Sequence, residues 1–178
     1  MPKLTHRIAT EADIPALHAV MARAIAELQS DFLTPAQVAA STQVMGLDSQ
    51  LVRDGTYFIV EIDGQIAGIG GWSFRATLYG GDKSLIARTP EVLDPTRDAA
   101  KIRAMYTNPD FTRRGIGRVV IGLCEDAARA AGFTRAEMMA TAAGVPLYRA
   151  CGYEPVDAPI AADVDGVAVP LIRMGKAL

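Results

Sequence analysis

The sequence predicts a mixed α/β domain built on one central β-sheet. Short runs rich in β-branched and aromatic residues alternate with segments whose apolar residues recur with the helical period. Asp63-Gly64 and Asp165-Gly166 each lie between strand-like runs, as the central residues of tight hairpin turns do. Because the 178 residues contain no repeat, low-complexity tract or linker, we expect a single domain over residues 1–178.

The first half of the chain carries three strand patterns and two helix patterns. The apolar residues from Ile14 to Leu28 form one helical stripe. Thr34 and Pro35, followed by Gln37, are typical of a helix start, with Thr34 as the capping residue. In order, the segments predict a strand over 3–9, helices over 14–28 and 34–46, and strands over 57–62 and 66–74.

The second half begins with a long irregular segment, 75–97, which contains Gly80-Gly81, Pro90 and Pro95. A loop of this length is usually functional or mobile, so it is either a border of the active site or a plain surface excursion. The glycines at 68, 70 and 71 predict a bulge or a close approach in the strand before it. The remaining segments predict strands over 101–107 and 135–141, helices over 116–132 and 145–150, and a final strand pair, 153–156 with 167–174, across Asp165-Gly166.

The most informative stretch is residues 105–118, where a strand-like run ends at Asn108-Pro109 and a helix begins after Gly115. A glycine-bearing turn at a helix N-terminus presents unpaired N–H groups and a positive dipole end, which suit a phosphate or diphosphate. Arg113, Arg114 and Arg118 add positive charge. The Rossmann fingerprint would require a third glycine at Val120, and the P-loop's Gly-Lys-Ser/Thr is absent.

Residues 108–118, Asn-Pro-Asp-Phe-Thr-Arg-Arg-Gly-Ile-Gly-Arg, resemble motif A of the GNAT superfamily of N-acetyltransferases. Leu147-Tyr-Arg-Ala-Cys-Gly-Tyr153 is similar to the closing motif of that family, and the order of elements is similar over nearly the whole chain. Two positions depart from the family pattern. Thr112 stands where Gln or Arg is usual, and Thr141 stands where Asn is often found.

The resemblance implies a GNAT-like fold with about four helices, in which the strand before motif A and the strand after its helix splay apart. It implies acetyl-CoA as co-substrate, with pantetheine pairing along the free strand edge and the diphosphate held at the helix N-terminus. The residues implied in cofactor binding are Met105, Tyr106, Thr107, Arg113, Arg114, Gly115, Ile116, Gly117 and Arg118.

Tyr148 matches the tyrosine that lies beside the coenzyme sulfur in the family, so the resemblance implies a general acid or hydrogen-bond donor there. The general base is not identified by the sequence. Some relatives carry a Glu at the position of Lys101, and the remaining candidates are Glu61, Asp98 and a chain of waters. Tyr106 either lines the cleft or packs in the core.

Composition restricts the partners. A net charge of −2 with dispersed basic residues argues against nucleic acid and anionic membranes. No apolar run approaches a membrane span and the start lacks a signal-peptide pattern, so a cytoplasmic location is expected. Two histidines and two cysteines, far apart in sequence, do not predict a metal site.

The sequence therefore predicts an acetyl-CoA-dependent N-acetyltransferase that acts on a primary amine of a small molecule or a protein, by direct transfer in a ternary complex. The resemblance also allows a homodimer. Two other functions remain open: a non-catalytic sensor that binds acyl-CoA, and a nucleotide-binding module that prefers NAD or ATP. Asp82, Glu91, Asp94 and Asp98 either attract a cationic acceptor or are solvated loop charges.

Overall fold

The computed structural model describes residues 1–84 and 87–178. The elements of the first half are β1 (Leu4–Ile8), α1 (Ile14–Leu28), α2 (Pro35–Ser41), α3 (Ser49–Arg53), β2 (Tyr57–Ile62) and β3 (Gln65–Ser73). Those of the second half are β4 (Ala100–Thr107), α4 (Ile116–Ala130), β5 (Arg135–Thr141), α5 (Val145–Ala150), β6 (Glu154–Pro155), β7 (Ile160–Val164) and β8 (Val167–Ala177).

The strands form one sheet in the order β1-β2-β3-β4-β5-β8-β6, with β7 paired to β8. The pair β4–β5 is parallel and the other pairs are antiparallel. Helices α1 and α4 each bury an apolar stripe in a separate core cluster with the strands. The predicted mixed α/β class and the predicted sheet are therefore confirmed.

The glycines of β3 allow close packing, as their spacing predicted. A Cβ on Gly68 would collide with the Ile116 side chain of α4, and one on Gly71 would lie 2.7 Å from the Thr56 carbonyl oxygen. The β3–β4 register shifts between Ile69 and Gly71, so the predicted irregularity is also present. Helix α4 can therefore lie close to the sheet just where its N-terminus begins.

The register shift is a β-bulge in β4. Ala104 adopts a φ of 50°, a left-handed conformation that is rare for a residue with a Cβ. The fully buried Tyr57 donates a hydrogen bond of 2.7 Å from its hydroxyl to the Ala104 carbonyl. Because a bulge bends its own strand, this contact fixes the direction in which the rest of β4 leaves the sheet.

We expect Tyr57→Phe to lower the free energy of unfolding by about 1–3 kcal/mol, because the bulge carbonyl loses its donor in a buried setting. Urea unfolding measures the loss, and faster hydrogen exchange of the 104–107 amides would locate it. Tyr79→Phe is the matched control, since it removes a hydroxyl from a ring that is only half-buried. Equal unfolding free energies for wild type and Tyr57→Phe would show that Tyr57 does not hold the bulge.

Two sequence predictions are wrong. The helix predicted over 34–46 ends at Ser41, after which the hydrogen bonds tighten to three-residue turns such as that from the Gln43 N–H to the Ala40 carbonyl, and α3 was not predicted. The strand that pairs with β8 across Asp165-Gly166 is β7, not the segment 153–156. A two-residue turn pairs the residues on either side of it, here Val164 with Val167. Strand β6 lies about ten residues before this turn, and it pairs instead with the far end of β8, at Met174 and Gly175.

Candidate active site

The centre of the sheet contains a gap between β4 and β5. The two strands pair only through Ala100 with Ala136 and Lys101 with Glu137. Beyond these pairs the strands separate, and the edge of β4 from 102 to 107 has no partner in β5. The splayed strands that the resemblance implied are therefore present, and the bulge at Ala104 lies where they diverge.

Two cavities open into this gap. One, of about 160 Å³, is lined by α4 and α5 residues such as Gly117, Val120 and Leu147; we call it the helix cavity. The other, of about 70 Å³, is lined by β4, β5 and residues 78–80 of the long irregular segment; we call it the loop cavity. The two cavities share five lining residues, which mark where they meet: Met45, Met105, Tyr106, Thr141 and Tyr148.

The N-terminus of α4 is rich in unused donors. Within the described residues, no N–H group of residues 113–118 donates a hydrogen bond to a protein acceptor. Arg113 (φ 61°) and Gly115 (φ 76°) both adopt left-handed backbone conformations, which turn consecutive N–H groups toward one concave surface. Such a surface at the positive end of a helix dipole binds anions.

The three arginines differ in what they contact. Arg114 stacks over the Phe111 ring at 5.3 Å, and Arg118 donates a hydrogen bond of 3.2 Å to the Ala150 carbonyl in α5. Arg113 is exposed. Arg113 and Arg114 therefore leave their guanidinium donors available beside the free N–H groups, whereas Arg118 joins α4 to α5.

Gly115 and Gly117 also differ. A Cβ on Gly115 would meet open space, but one on Gly117 would lie 2.5 Å from a Leu147 methyl group. The glycine at 117 is thus required for α5 to pack against α4, and it also lines the helix cavity. We had predicted only that a ligand could approach this backbone, and the packing contact is an additional reason for the glycine.

Tyr148 lies where the helix and loop cavities meet. Enclosure of its ring raises the pKa of Tyr148 well above the usual value, so the hydroxyl keeps its proton at neutral pH. Among the described residues, no group hydrogen-bonds to this hydroxyl. Tyr106 differs, because its hydroxyl accepts a 3.0 Å hydrogen bond from the Gly46 N–H and burial raises its pKa to about 12. Tyr148 is therefore a proton donor left free for a ligand.

A scan of protein-family models matches residues 22–153 to the acetyltransferase (GNAT) family. The chain belongs to the GNAT family. The fold class, the family and its acetyltransferase character are thereby confirmed, whereas the acceptor is not identified. No curated protein sequence matches the chain significantly.

Solved structures share the GNAT fold with this chain. A GCN5-related N-acetyltransferase from Rhodopseudomonas palustris aligns with a TM-score of 0.70 at 18% identity, covering 100% of this chain and 96% of that one. A ribosomal-protein-alanine N-acetyltransferase from Brucella melitensis aligns with a TM-score of 0.64 at 22% identity, covering 98% and 99%. The Salmonella typhimurium protein yncA, solved with its cofactor acetyl-CoA, aligns with a TM-score of 0.63 at 17% identity, covering 98% of this chain and 93% of that one.

The candidate bases of this GNAT chain do not reach the gap. Glu61 pairs with Arg7 at 3.2 Å on the outer strands, and Asp98 accepts a hydrogen bond from the Asp94 N–H. Lys101 forms a buried ion pair with Glu137 at the closed end of the gap. None of the acidic residues of the long segment lines either cavity among the described residues, and Asp82 is held by Arg88 and Ser49.

Arg103 is a site residue that the sequence prediction missed. Its buried guanidinium donates to the carbonyls of Thr77 and Gly80, at 3.1 and 2.7 Å, and pairs with Asp48 at 3.2 Å. It therefore attaches the long segment to β4 and forms one wall of the loop cavity. An arginine inside an apolar strand pattern was the available signal, since a buried charge requires partners.

The described helices include none with the length and apolar content that crossing a bilayer requires.

Proposed function

We propose that the protein transfers an acetyl group from acetyl-CoA to a primary amine, directly within a ternary complex. The observation that carries the proposal is the meeting of two cavities at Tyr148, with an unused anion-binding helix N-terminus at the outer end of one of them. Two substrates that enter from opposite cavities would react beside the Tyr148 hydroxyl.

In this proposal the cofactor binds along the helix cavity. Its diphosphate would bind the free N–H groups of 113–118, with Arg113 and Arg114 supplying charge. Its pantetheine arm would run along the unpaired edge of β4, beside Met105, Tyr106 and Thr107, as an added strand. The chain offers Gly115 and Gly117 where the backbone must be approached closely.

The acetyl transfer itself requires one proton movement. The amine nitrogen attacks the thioester carbonyl, a C–N bond forms, the C–S bond breaks, and the proton lost by nitrogen ends on the coenzyme sulfur. The thiol has an ordinary pKa near 8.5, so protonating it assists departure by about 2 kcal/mol at pH 7. Tyr148, which keeps its proton, would give that proton to the sulfur and regain one from the attacking nitrogen, so that the net transfer is from nitrogen to sulfur.

The test is release of coenzyme thiol from acetyl-CoA across a panel of primary amines. We expect release with at least one amine, and a fall in kcat of about 30-fold for Tyr148→Phe, the rate equivalent of about 2 kcal/mol. Calorimetry should give the same acetyl-CoA affinity for both proteins, which controls for folding. Tight cofactor binding with no thiol release from any amine would instead favour a non-catalytic acyl-CoA sensor.

A further inference from the structure

The loop cavity, from which the acceptor would enter, has a mixed polar and apolar lining whose apolar part is rich in methionine. Four of the chain's seven methionines line it: Met45, Met105, Met138 and Met139. Val44, Leu78, Ile102 and Leu171 complete its apolar lining. Methionine side chains are flexible and polarisable, so they adapt to apolar groups of different shapes. At about 70 Å³ the cavity is about half the size of one that admits benzene, ~150 Å³, so it suits a small apolar group.

The same cavity offers no proton acceptor of ordinary strength. None of its described lining residues is Asp, Glu or His. The two residues that the structure does not describe are Leu85 and Ile86, whose side chains cannot accept a proton. The titratable lining groups are Tyr79, Arg103, Tyr106 and Tyr148. Arg103 is a cation, and the raised pKa values of Tyr106 and Tyr148 keep both hydroxyls protonated.

The nearest carboxylates are already neutralised by cations. Asp48 is paired with Arg103 and Arg88, each at 3.2 Å. Glu137 is paired with Lys101 and with Arg173, the latter at 2.6 Å. His18, Asp82 and Lys83 line a separate groove beside α1, which adjoins the loop cavity only through Met45 and Gly46. A cationic ammonium entering the loop cavity would therefore find neither a counter-ion nor a base.

We propose that the acceptor is a weakly basic primary amine carried on a small apolar group and taken up in its neutral form. The inference rests on the proposed function. A neutral amine needs no separate base, because the proton that it loses on attack balances the proton that the departing thiolate gains. Amines with a larger neutral fraction at pH 7 then have the advantage. An α-amine, with pKa about 7.8, is about 300-fold more abundant as the neutral form than an alkylamine with pKa about 10.4.

Leucinamide and isopentylamine test the proposal, since they share an apolar body and differ in amine basicity. We expect the ratio of their kcat/KM values, leucinamide over isopentylamine, to fall about 30-fold between pH 7 and pH 9.5, because their neutral fractions differ about 300-fold at pH 7 and about tenfold at pH 9.5. The rising limb of each pH profile should follow the basicity of that acceptor. A limb at the same pH for both acceptors, or a ratio that does not change between pH 7 and pH 9.5, would reveal a base on the enzyme and overturn the inference.

Met139→Glu supplies the carboxylate that the loop cavity lacks, at a half-buried position of β5. We expect this variant to reduce the pH 7 preference for leucinamide by at least about tenfold, because a carboxylate both binds an ammonium and accepts its proton. Met139→Gln, equal in shape without the charge, should keep the wild-type preference. An equal reduction in both variants would count against the inference, and the wild-type pH profiles test it even if Met139→Glu does not fold.

The two proposals fail differently. If no amine releases thiol from acetyl-CoA, the proposed function is overturned and this inference with it. If both amines are acetylated and the ratio of leucinamide to isopentylamine does not change between pH 7 and pH 9.5, the acetyltransferase function stands and only the acceptor class is wrong.

Discussion

Arg103→Met is expected to lower the free energy of unfolding by about 3 kcal/mol, the lower end of the usual cost of breaking a buried ion pair, because Asp48 keeps its second partner, Arg88. The side chains of Arg103 and Asp48 are only 2% and 5% exposed. Removal of the guanidinium also deprives the Thr77 and Gly80 carbonyls of their donor. Urea unfolding of wild type and variant measures the difference.

Arg53→Met is the matched control, because the Arg53 side chain is exposed and its hydrogen bonds within the described part of the chain go to Ser49 and Gln50, on its own helix. We expect it to change stability by less than about 0.5 kcal/mol. Asp48→Asn combined with Arg103→Met should cost less than the sum of the two single changes, since the charges act on each other. A loss below about 1 kcal/mol in Arg103→Met would show that the pair does not stabilise the fold.

Arg103→Met should also weaken acceptor binding. Because Arg103 holds residues 77–80 against β4, its loss should raise the KM for the amine acceptor and leave the affinity for acetyl-CoA unchanged. The helix cavity, which would take the cofactor, has no lining residue from this segment.

The double variant Arg113→Gln, Arg114→Gln is expected to weaken acetyl-CoA binding by about tenfold to a hundredfold, because two charged donors beside the diphosphate position are lost. The weakening should shrink as salt is raised, since exposed charges are screened. Calorimetry at low and high ionic strength measures both effects.

Two controls restrict the interpretation. Arg97→Gln removes a positive charge from a side chain that is 76% exposed and pairs with the neighbouring Asp94, so it should leave the cofactor affinity unchanged. S-Acetylpantetheine lacks the diphosphate, so its use as acetyl donor should be insensitive to the double variant. An equal loss with S-acetylpantetheine would mean that the arginines act on folding or on another part of the cofactor.

The sequence predicted the parts of the fold that depend on neighbouring residues. The stripes of α1 and α4, the turns at Asp63-Gly64 and Asp165-Gly166, and the glycine-bearing start of α4 all depend on residues within a few positions of each other. Strand pairing at the C-terminus was misassigned, since β6 and β7 both pair with β8 and local sequence does not distinguish them. The single domain, the cytoplasmic location and the homodimer stay predictions.

Part of the candidate site could likewise be predicted from local sequence, and part could not. The donors of residues 113–118 follow from a turn and a helix that adjoin in sequence, and Tyr148 follows from a short motif, so both could be named from the chain alone; their roles in binding and catalysis remain proposals. The loop cavity could not be predicted, because Met45, Leu78, Met139 and Leu171 meet only when four separate segments pack together.

The amino-acid sequence by itself was enough to predict the family, the helix N-terminus with free N–H groups at residues 113–118, and Tyr148 as the candidate catalytic residue. Only the tertiary structure decided where β4 and β5 separate, how Arg103 attaches a distant segment to the sheet, and which side chains line the loop cavity. The physical reason is the range of the interactions. Helix and turn propensities act over a few residues, whereas the polarity of a cavity is the sum of side chains that the chain brings together from far apart.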